Sequence, residues 1–365
     1  MIPGQATADG TAAFAAKHPA LHQDHWRGVL DLSLSSVGIG TYLGQPDAAT
    51  DAMYDEAVGR AIASGINVID TAINYRFQKS ERNVGAAIKK AIDSGAATRE
   101  ELFICTKGGY LAGDGASPTE AWIEATYVNP GIVSWDDIVA ECHCMTPAYL
   151  KHEVDQSLKN LGVETIDLYY VHNSEQQLPV VRADEYYARL TDAFGALEEC
   201  VGEGKIARYG TATWDAYRVP KSARSHTSLQ RVAQCAAQAG GDDHHLRAIQ
   251  LPFNFGMPEA CREMNQEWAE EAATVLQVAY EVGAVVFTSV PLMQGRLLGR
   301  FSPELKAKFP GLGTDAQRCL QFARSAPGVC APLCGMKEIK HVAENIEVAK
   351  AATLSEDEFN SFFAE

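Results

Sequence analysis

The sequence predicts a single (β/α)8 barrel of the TIM-barrel type. From about residue 36 onward, short apolar runs rich in β-branched residues alternate with longer stretches of helical periodicity, which is the pattern of a parallel sheet. Most of these runs end about 30 to 45 residues apart, roughly the length of one βα unit, and a closed barrel needs eight such units. The predicted strands end near Gly40, Asp70, Thr106, Val171, Thr211, Leu251, Thr288 and Leu333.

The segments between these strands carry helix start and stop signals. Thr146 followed by Pro147 is a typical N-cap with proline at the first helical position, and Gly162 is a typical helix end. The intervening residues carry an apolar stripe at Leu150, Val154, Leu158 and Leu161. Ser355 and Glu358 form a capping-box pattern that opens a last helix.

Three features are added to the bare barrel. Residues 1–25 are expected to form a loose N-terminal arm, and residues 26–365 a single barrel domain. Residues 25–34 (HWRGVLDLSL) alternate as a short hairpin that could plug the barrel floor. Residues 110–145 form a long insertion between the third strand and the third helix, and an ordered loop of that length is usually functional.

Composition and charge exclude several classes of partner. With 31 Lys and Arg against 47 Asp and Glu, the 365-residue chain has a formal charge of −16, which disfavours nucleic acid and anionic lipid. The first residues lack the pattern of a secretory signal, and the longest apolar stretch, 282–293, is too short to cross a bilayer. Nine scattered cysteines are typical of reduced thiols, so we expect a cytoplasmic protein.

Four chemically complementary side chains follow or end predicted strands. They are Asp70, Tyr75, Lys107 and His172, and the carboxyl ends of barrel strands all open on one face. A tyrosine phenol titrates near about pH 10, and a neighbouring ammonium favours its phenolate form. We expect Lys107 to tune Tyr75, Asp70 to balance Lys107, and His172 to orient a substrate carbonyl. This set suits hydride transfer to or from a carbonyl carbon, with a nicotinamide as hydride carrier.

The chain resembles the aldo-keto reductase family from about residue 36 to 351. The stretches that carry the resemblance are DTAINYRFQKSERNVGAAI, LFICTKGG, MTPAYLKHEVDQSLKNLGVETIDLYYVHN, FGALEECVGEGKIARYGTATW, AIQLPFN, TSVPLMQGRL and CGMKEIKHVAENIEVAK. The family tetrad falls on Asp70, Tyr75, Lys107 and His172. The resemblance implies an NAD(P)-dependent oxidoreductase that interconverts a small-molecule carbonyl, in an aldehyde, ketone or sugar, and its alcohol, with Tyr75 as general acid/base.

The resemblance also implies a set of cofactor-binding residues. Carboxamide binding falls on Thr213 and Gln250, and Ala212 stands where the family has serine. The position that stacks on the nicotinamide is Ser289. The other positions are Pro291, Leu292, Gln294 and Gly295 for the pyrophosphate, Gly335, Met336, Lys337 and His341 around the adenosine ribose, and Glu344 and Asn345 for adenine. NADP or NAD could be the cofactor, with NADP slightly favoured by the family.

Aromatic and sulfur-rich positions leave alternatives open. Trp122, Trp135 and Trp214 lie in loops that follow strands, where they could line a substrate pocket, although Trp122 and Trp135 could instead form a small core inside the insertion. The run Cys142-His143-Cys144 has no second well-spaced ligand pair nearby, so no metal site is predicted.

Two other functions are compatible with these motifs. One is an NAD-dependent sugar 1-dehydrogenase, because Gly335-Met336 resembles the corresponding turn of NAD-using sugar dehydrogenases in the family. The other is a cofactor-binding regulatory subunit of a membrane channel, since some related barrels serve that role with slow chemistry.

Overall fold

The computed structural model describes residues 1–364, and its N-terminal segment is packed onto the barrel. The segment contains α1 (Ala8–Ala16). The N–H of Ala6 donates to the buried carboxylate of Asp167 at 2.6 Å, and the N–H of Thr7 donates to the carbonyl of Glu100 at 3.0 Å. The prediction of a loose arm is wrong, because these long-range hydrogen bonds and the burial of one face of the helix hold the segment in place.

A short hairpin closes the floor of the barrel. β1 (Trp26–Val29) pairs antiparallel with β2 (Leu32–Ser35), as the alternation of this segment predicts. Leu32 and Leu34 are buried in the cluster that fills the barrel interior together with Phe103 and other inward-facing side chains. The hairpin therefore plugs the end of the barrel opposite the strands' carboxyl ends.

The centre is a closed barrel of eight parallel strands. In chain order the next strands are β3 (Gly38–Gly40), β4 (Val68–Asp70), β5 (Phe103–Gly108), β6 (Leu168–His172), β7 (Tyr209–Ala212), β8 (Leu246–Pro252), β9 (Gln266–Trp268), β10 (Glu271–Ala273), β11 (Val285–Ser289) and β12 (Val329–Gly335). β9 and β10 form a separate hairpin, and β12 pairs with β3 to close the barrel. Each predicted strand end lies within two residues of the observed one, which confirms the predicted fold class.

Helices surround the barrel and bury its outer face. They are α2 (Ala48–Ala63), α3 (Lys79–Asp93), α4 (Glu120–Ile123), α5 (Pro147–Leu161), α6 (Ala183–Gly202), α7 (Leu229–Gly240), α8 (Glu259–Arg262), α9 (Val275–Glu281), α10 (Pro303–Ala307), α11 (Asp315–Ser325), α12 (Ile339–Asn345) and α13 (Glu356–Asn360). α5 begins at Pro147 and ends before Gly162, where φ is +68°, as its sequence signals predict. Within residues 1–364, every helix is too short or too polar to span a bilayer.

The insertion at 110–145 is closed at its base by two backbone hydrogen bonds. The N–H of Leu111 donates to the carbonyl of Cys142, and the N–H of Cys144 donates to the carbonyl of Gly109, both at 2.8 Å. Inside the loop, α4 continues into a short π-helical turn, and the Tyr127 hydroxyl donates to a backbone carbonyl near the neck. The insertion is thus an ordered unit joined to the barrel beside the end of β5.

One carboxylate is buried behind β5 without a cation bonded to it. Glu81 of α3 accepts hydrogen bonds from the Thr106 hydroxyl at 2.6 Å and the Asn160 amide at 2.8 Å. Burial raises the pKa of Glu81 from 4.5 to about 7, although these hydrogen bonds act in the opposite direction. The group therefore holds a proton in the folded chain at pH values where it is ionised in the unfolded chain.

This raised pKa predicts a specific loss of stability with rising pH. The folded state binds more protons than the unfolded state between the two pKa values, so the contribution of Glu81 is full below pH 4.5 and is lost as pH rises through about 7. At about 1.4 kcal/mol for each pKa unit, the change approaches about 3 kcal/mol. Glu81→Gln should show a flatter pH dependence of the unfolding free energy than wild type in urea titrations at several pH values. Glu56→Gln, at an exposed position of α2, is the matched control, and equal slopes for wild type and Glu81→Gln would contradict the prediction.

Candidate active site

A cavity of about 600 Å³ opens at the carboxyl ends of the barrel strands. Its size is within the usual range for a small-molecule or cofactor site. The structure brings most of the predicted site residues to this cavity. Those that line it are Asp70, Tyr75, His172, Thr213, Trp214, Gln250, Ser289, Pro291, Leu292, Gln294, Gly295, Gly335, His341, Glu344 and Asn345.

Asp70 and Lys107 form a buried ion pair beneath the cavity. The Lys107 ammonium donates to Asp70 Oδ2 at 2.6 Å and to the carbonyl of Thr71 at 2.7 Å. The other carboxylate oxygen accepts a hydrogen bond from the Gln250 amide at 2.9 Å. Burial acts to lower the pKa of Lys107, but the adjacent Asp70 carboxylate raises it, so the lysine remains charged. The sequence places Lys107 just past a strand end, whereas the structure places it inside β5.

The charged lysine lies against Tyr75. Its Nζ is 4.8 Å from the centroid of the phenol ring. Burial raises the pKa of Tyr75, and the charge of Lys107 is the largest influence that opposes this rise. The expected direction of the lysine's effect is therefore present, but in the chain without a bound ligand burial outweighs it. The phenol is protonated at neutral pH and available as a proton donor.

His172 is the fourth member of the predicted set. Its ring centroid lies 5.8 Å from that of Tyr75. Burial lowers the pKa of His172 well below its usual value, and the charge of Lys107 lowers it further. Its Nδ1 is buried and has no hydrogen-bond partner among residues 1–364. The ring is thus a neutral imidazole at the same end of the cavity as the tyrosine.

The backbone directly after Tyr75 adopts an unusual left-handed turn. Arg76, Phe77 and Gln78 have φ values of +50°, +56° and +70°, and each such non-glycine residue costs roughly 1–2 kcal/mol. The Arg76 guanidinium holds the turn, because it donates to the Gln45 carbonyl at 3.0 Å and the Asn83 side chain at 2.9 Å. It also forms an ion pair with the carboxylate of Asp51 on α2. These bonds hold the turn that directly follows Tyr75 in place.

Two predicted cofactor positions do not reach the cavity. The Met336 side chain is fully buried and is not among the residues that line the cavity. Lys337 is half-buried and does not line the cavity. The expected contacts of these two residues with a cofactor stay predictions, whereas Gly335, the last residue of β12, and His341 line the cavity.

Two of the three predicted pocket tryptophans are also elsewhere. Trp122 packs on the outer core and donates from its indole N–H to the carbonyl of Ala112 at 3.3 Å, while Trp135 is 44% exposed on the insertion. Trp122 thus contacts the main hydrophobic core, to which residues of the insertion also contribute, and does not line the cavity. Trp214 lines the cavity.

The structure adds lining residues that were not predicted. Asn74 and Asn173 are direct neighbours of Tyr75 and His172 in the sequence, and Tyr42 follows β3 by two residues, so the strand-end rule could have found all three. Tyr110 likewise follows β5 by two residues, so the same rule applies to it although it begins the insertion. The full set is Gly40, Thr41, Tyr42, Leu43, Asn74, Tyr110, Asn173, Ala212, Val290, Leu298, Ala316, Leu333 and Cys334.

The insertion reaches the site through His143. Its Nε2–H donates to the backbone carbonyl of His172 at 2.8 Å, and its Nδ1 accepts from the Gln177 amide at 3.0 Å. Burial lowers the pKa of His143 to about 4, which keeps the ring neutral and able to make both bonds. Gly109 permits this approach, since a Cβ there would lie 2.7 Å from the His172 carbonyl oxygen and 2.9 Å from His143 Nε2.

We therefore expect His143 to be a positioning residue for His172. His143→Leu removes the donor to the carbonyl and should lower kcat by on the order of tenfold to a hundredfold with a smaller change in KM, because displacement of a reacting group by about 1 Å has effects of that size. His143→Gln keeps a donor and should recover part of the loss. Cys142→Ser is the neighbouring control. Steady-state kinetics on variants with native circular dichroism provide the measurement, and a folded His143→Leu protein with wild-type kcat would contradict the role.

Both ring nitrogens of His143, in the run Cys142-His143-Cys144, are thus engaged in hydrogen bonds within the protein. Among residues 1–364, no group of three or more histidine, cysteine or acidic side chains is arranged to hold a metal ion.

The same chain resembles known proteins in sequence. The family model of the Aldo/keto reductase family matches residues 36–236, which is more than half of the chain. The "uncharacterized oxidoreductase YqkF" of Bacillus subtilis is 24% identical over 343 residues, covering 92% of this chain and 93% of that protein. The "NADH-specific methylglyoxal reductase" of Escherichia coli is 29% identical over 195 residues, covering 52% of this chain and about half of that protein, 51%.

Solved structures share the fold. The aldo-keto reductase AKR11C1 of Bacillus halodurans, in its holo form, superposes with a TM-score of 0.63 at 21% identity, covering 93% of this chain and 95% of that chain. An aldo/keto reductase of Klebsiella pneumoniae, in complex with NADP and acetate, has a TM-score of 0.60 at 22% identity, covering 91% and 93%. With the family-model match over more than half its length, this chain belongs to the aldo/keto reductase family of oxidoreductases.

Proposed function

We propose that this protein is a nicotinamide-dependent oxidoreductase that interconverts the carbonyl group of an aldehyde, ketone or sugar and the corresponding alcohol. The observation that carries the proposal is the Lys107 ammonium, bonded to Asp70 and lying 4.8 Å from the ring of Tyr75 at the floor of a ligand-sized cavity. A buried, paired lysine beneath a buried phenol is an arrangement for controlling a proton.

Each residue has a separate task in this proposal. Tyr75 donates its phenolic proton to the carbonyl oxygen in reduction and accepts it back in oxidation. Lys107 stabilises the phenolate that remains, and Asp70 keeps the lysine in place and charged. His172, as a neutral imidazole, can donate one ring N–H to the same carbonyl oxygen and so fix its direction.

The cavity fits a nicotinamide dinucleotide. Two of its polar lining atoms, Thr213 Oγ1 and Asn345 Oδ1, are buried without a hydrogen-bond partner among residues 1–364, so they are available to a ligand. Thr213 and Gln250 would hold the carboxamide, Pro291 to Gly295 the pyrophosphate through backbone N–H groups, and the turn after β12 the adenosine. When bound, the reduced dinucleotide supplies the hydride. The NADP found in the Klebsiella relative and the name of the Escherichia coli relative support this class of cofactor.

The test is direct turnover by the purified chain. With NADH or NADPH and a panel of small aldehydes, ketones and aldoses, we expect loss of the near-ultraviolet absorbance of the reduced nicotinamide, with a deuteride label transferred to the carbonyl carbon. Binding of neither dinucleotide, or binding without turnover of any carbonyl or alcohol, would overturn the proposal.

All nine cysteines are free, which supports a cytoplasmic location for this reaction.

A sugar 1-dehydrogenase is the second candidate, favoured by the cavity mouth. The aromatic rings of Tyr42 and Trp214 are 57% and 40% exposed there, and the amide of Asn74 has a buried oxygen without a partner among the described residues. Rings and amides bind sugars through stacking and hydroxyl hydrogen bonds. Faster oxidation of aldoses than reduction of aldehydes would select this candidate.

A further inference from the structure

Among residues 1–364, histidine is the only basic residue type in the lining of the dinucleotide cavity, at His172 and His341. No lysine or arginine is among the lining residues of the described chain, whose carboxylates are Asp70 and Glu344. The charge of Asp70 is balanced by the buried Lys107 ammonium, whereas Glu344 has no ion-pair partner within residues 1–364. Arg296 follows the lining residue Gly295 in the chain, but it is exposed and does not line the cavity.

The lysines nearest the turn after β12 are engaged elsewhere. Lys340 forms an ion pair with Glu338 at 2.7 Å, and its side chain is 72% exposed. Lys337 is half-buried and is followed in the chain by the acidic Glu338. Lys340 is therefore paired with a carboxylate, and neither lysine lines the cavity.

This distribution of charge discriminates between two forms of the same cofactor. NADP carries a phosphate on its adenosine ribose where NAD carries a hydroxyl, and a phosphate monoester adds about −1.5 to −2 charges at neutral pH. Such a group is normally held by arginine or lysine. Within the cavity such a phosphate would meet no lining lysine or arginine, whereas a ribose hydroxyl can hydrogen-bond to a neutral or acidic group.

We propose that a lining without lysine or arginine makes this chain select NAD(H) over NADP(H). The inference rests on the proposed function and adds to it the identity of the cofactor. It departs from the preference for NADP that the family resemblance favours. The position where a single cation would change the preference is His341, which lines the cavity next to Glu344.

Equilibrium binding tests the proposal without any turnover. The five tryptophans, with Trp214 in the lining, permit fluorescence titration with NADH and NADPH. We expect NADH to bind at least about tenfold more tightly than NADPH, because even one missing hydrogen bond to a charged phosphate costs about that factor. Adenosine 5′-monophosphate should likewise compete better than adenosine 2′,5′-bisphosphate, which isolates the phosphate from the nicotinamide.

Two variants and their control make the outcome specific. His341→Arg supplies a guanidinium and should shift the NADPH to NADH affinity ratio at least about tenfold toward NADPH, while His341→Gln, which adds no charge, should leave the ratio where it is. Glu338→Gln frees Lys340 and should shift the ratio the same way by a smaller factor. Equal or tighter binding of NADPH by the wild type would overturn the inference but leave the proposed function standing. Binding of neither dinucleotide would overturn the proposed function itself.

Discussion

Tyr75→Phe is expected to lower kcat by on the order of 10³-fold. The change removes the hydroxyl that exchanges a proton with the substrate oxygen and leaves the ring that packs against His172. Loss of a general acid typically costs 10²- to 10⁴-fold, and no other phenol or carboxyl group lies beside the Lys107 ammonium to replace it among the described residues, apart from its partner Asp70. Dinucleotide binding should change little, because the phenol is not among the groups expected to hold the cofactor.

Steady-state kinetics and a fluorescence titration on the same preparation separate these two effects. Tyr280→Phe is the matched control, since Tyr280 is 82% exposed on α9. If Tyr75→Phe retained wild-type turnover, the tyrosine would have no acid-base role. If it lost dinucleotide binding as well as turnover, the tyrosine would belong to the binding site rather than to proton transfer.

Lys107→Met is expected to damage both stability and catalysis. Removing the ammonium leaves the Asp70 carboxylate buried with only Gln250 bonded to it, and breaking a buried ion pair from one side costs about 3–5 kcal/mol. Turnover should fall by at least about a hundredfold. Because the lysine charge is the largest influence that lowers the pKa of Tyr75, its removal should also shift the rise of alcohol oxidation with pH to higher pH.

A double variant distinguishes the two losses. In Asp70→Asn/Lys107→Met no unpaired charge is left in the core, so chemical denaturation should show that much of the unfolding free energy is recovered. Turnover should stay low, since the ammonium beside Tyr75 is still missing. Recovery of turnover together with stability would show that Lys107 acts only on folding.

The sequence was most informative where function follows from local position. Asp70, Tyr75 and His172 stand at or just after strand ends, and closure of the barrel alone brings them to one cavity. Strand ends are recognisable because an apolar run stops there, so the catalytic face could be assigned before any coordinates. The same local rule applies to Tyr42 and Asn173, which it could have included.

Residues outside this rule depend on packing between distant segments. Trp122 turns into the outer core because its indole finds the Ala112 carbonyl within the insertion, which no periodicity reveals. Met336 is buried by neighbours from other elements although its chain neighbour Gly335 lines the cavity. The contact between His143 and His172 joins residues 29 positions apart and depends on the antiparallel neck of the insertion.

The β1–β2 hairpin that closes one end of the barrel has a consequence for the order in which ligands bind and are released. Leu32 and Leu34, with Phe103, fill the end of the barrel interior opposite the cavity, and Tyr42 and Trp214 are exposed residues of the cavity lining. In a cavity that is closed at its inner end, the compound that binds deeper must enter first and leave last. Exchange of the more deeply bound compound then requires prior release of the other one. We therefore expect product release rather than hydride transfer to limit the rate of turnover.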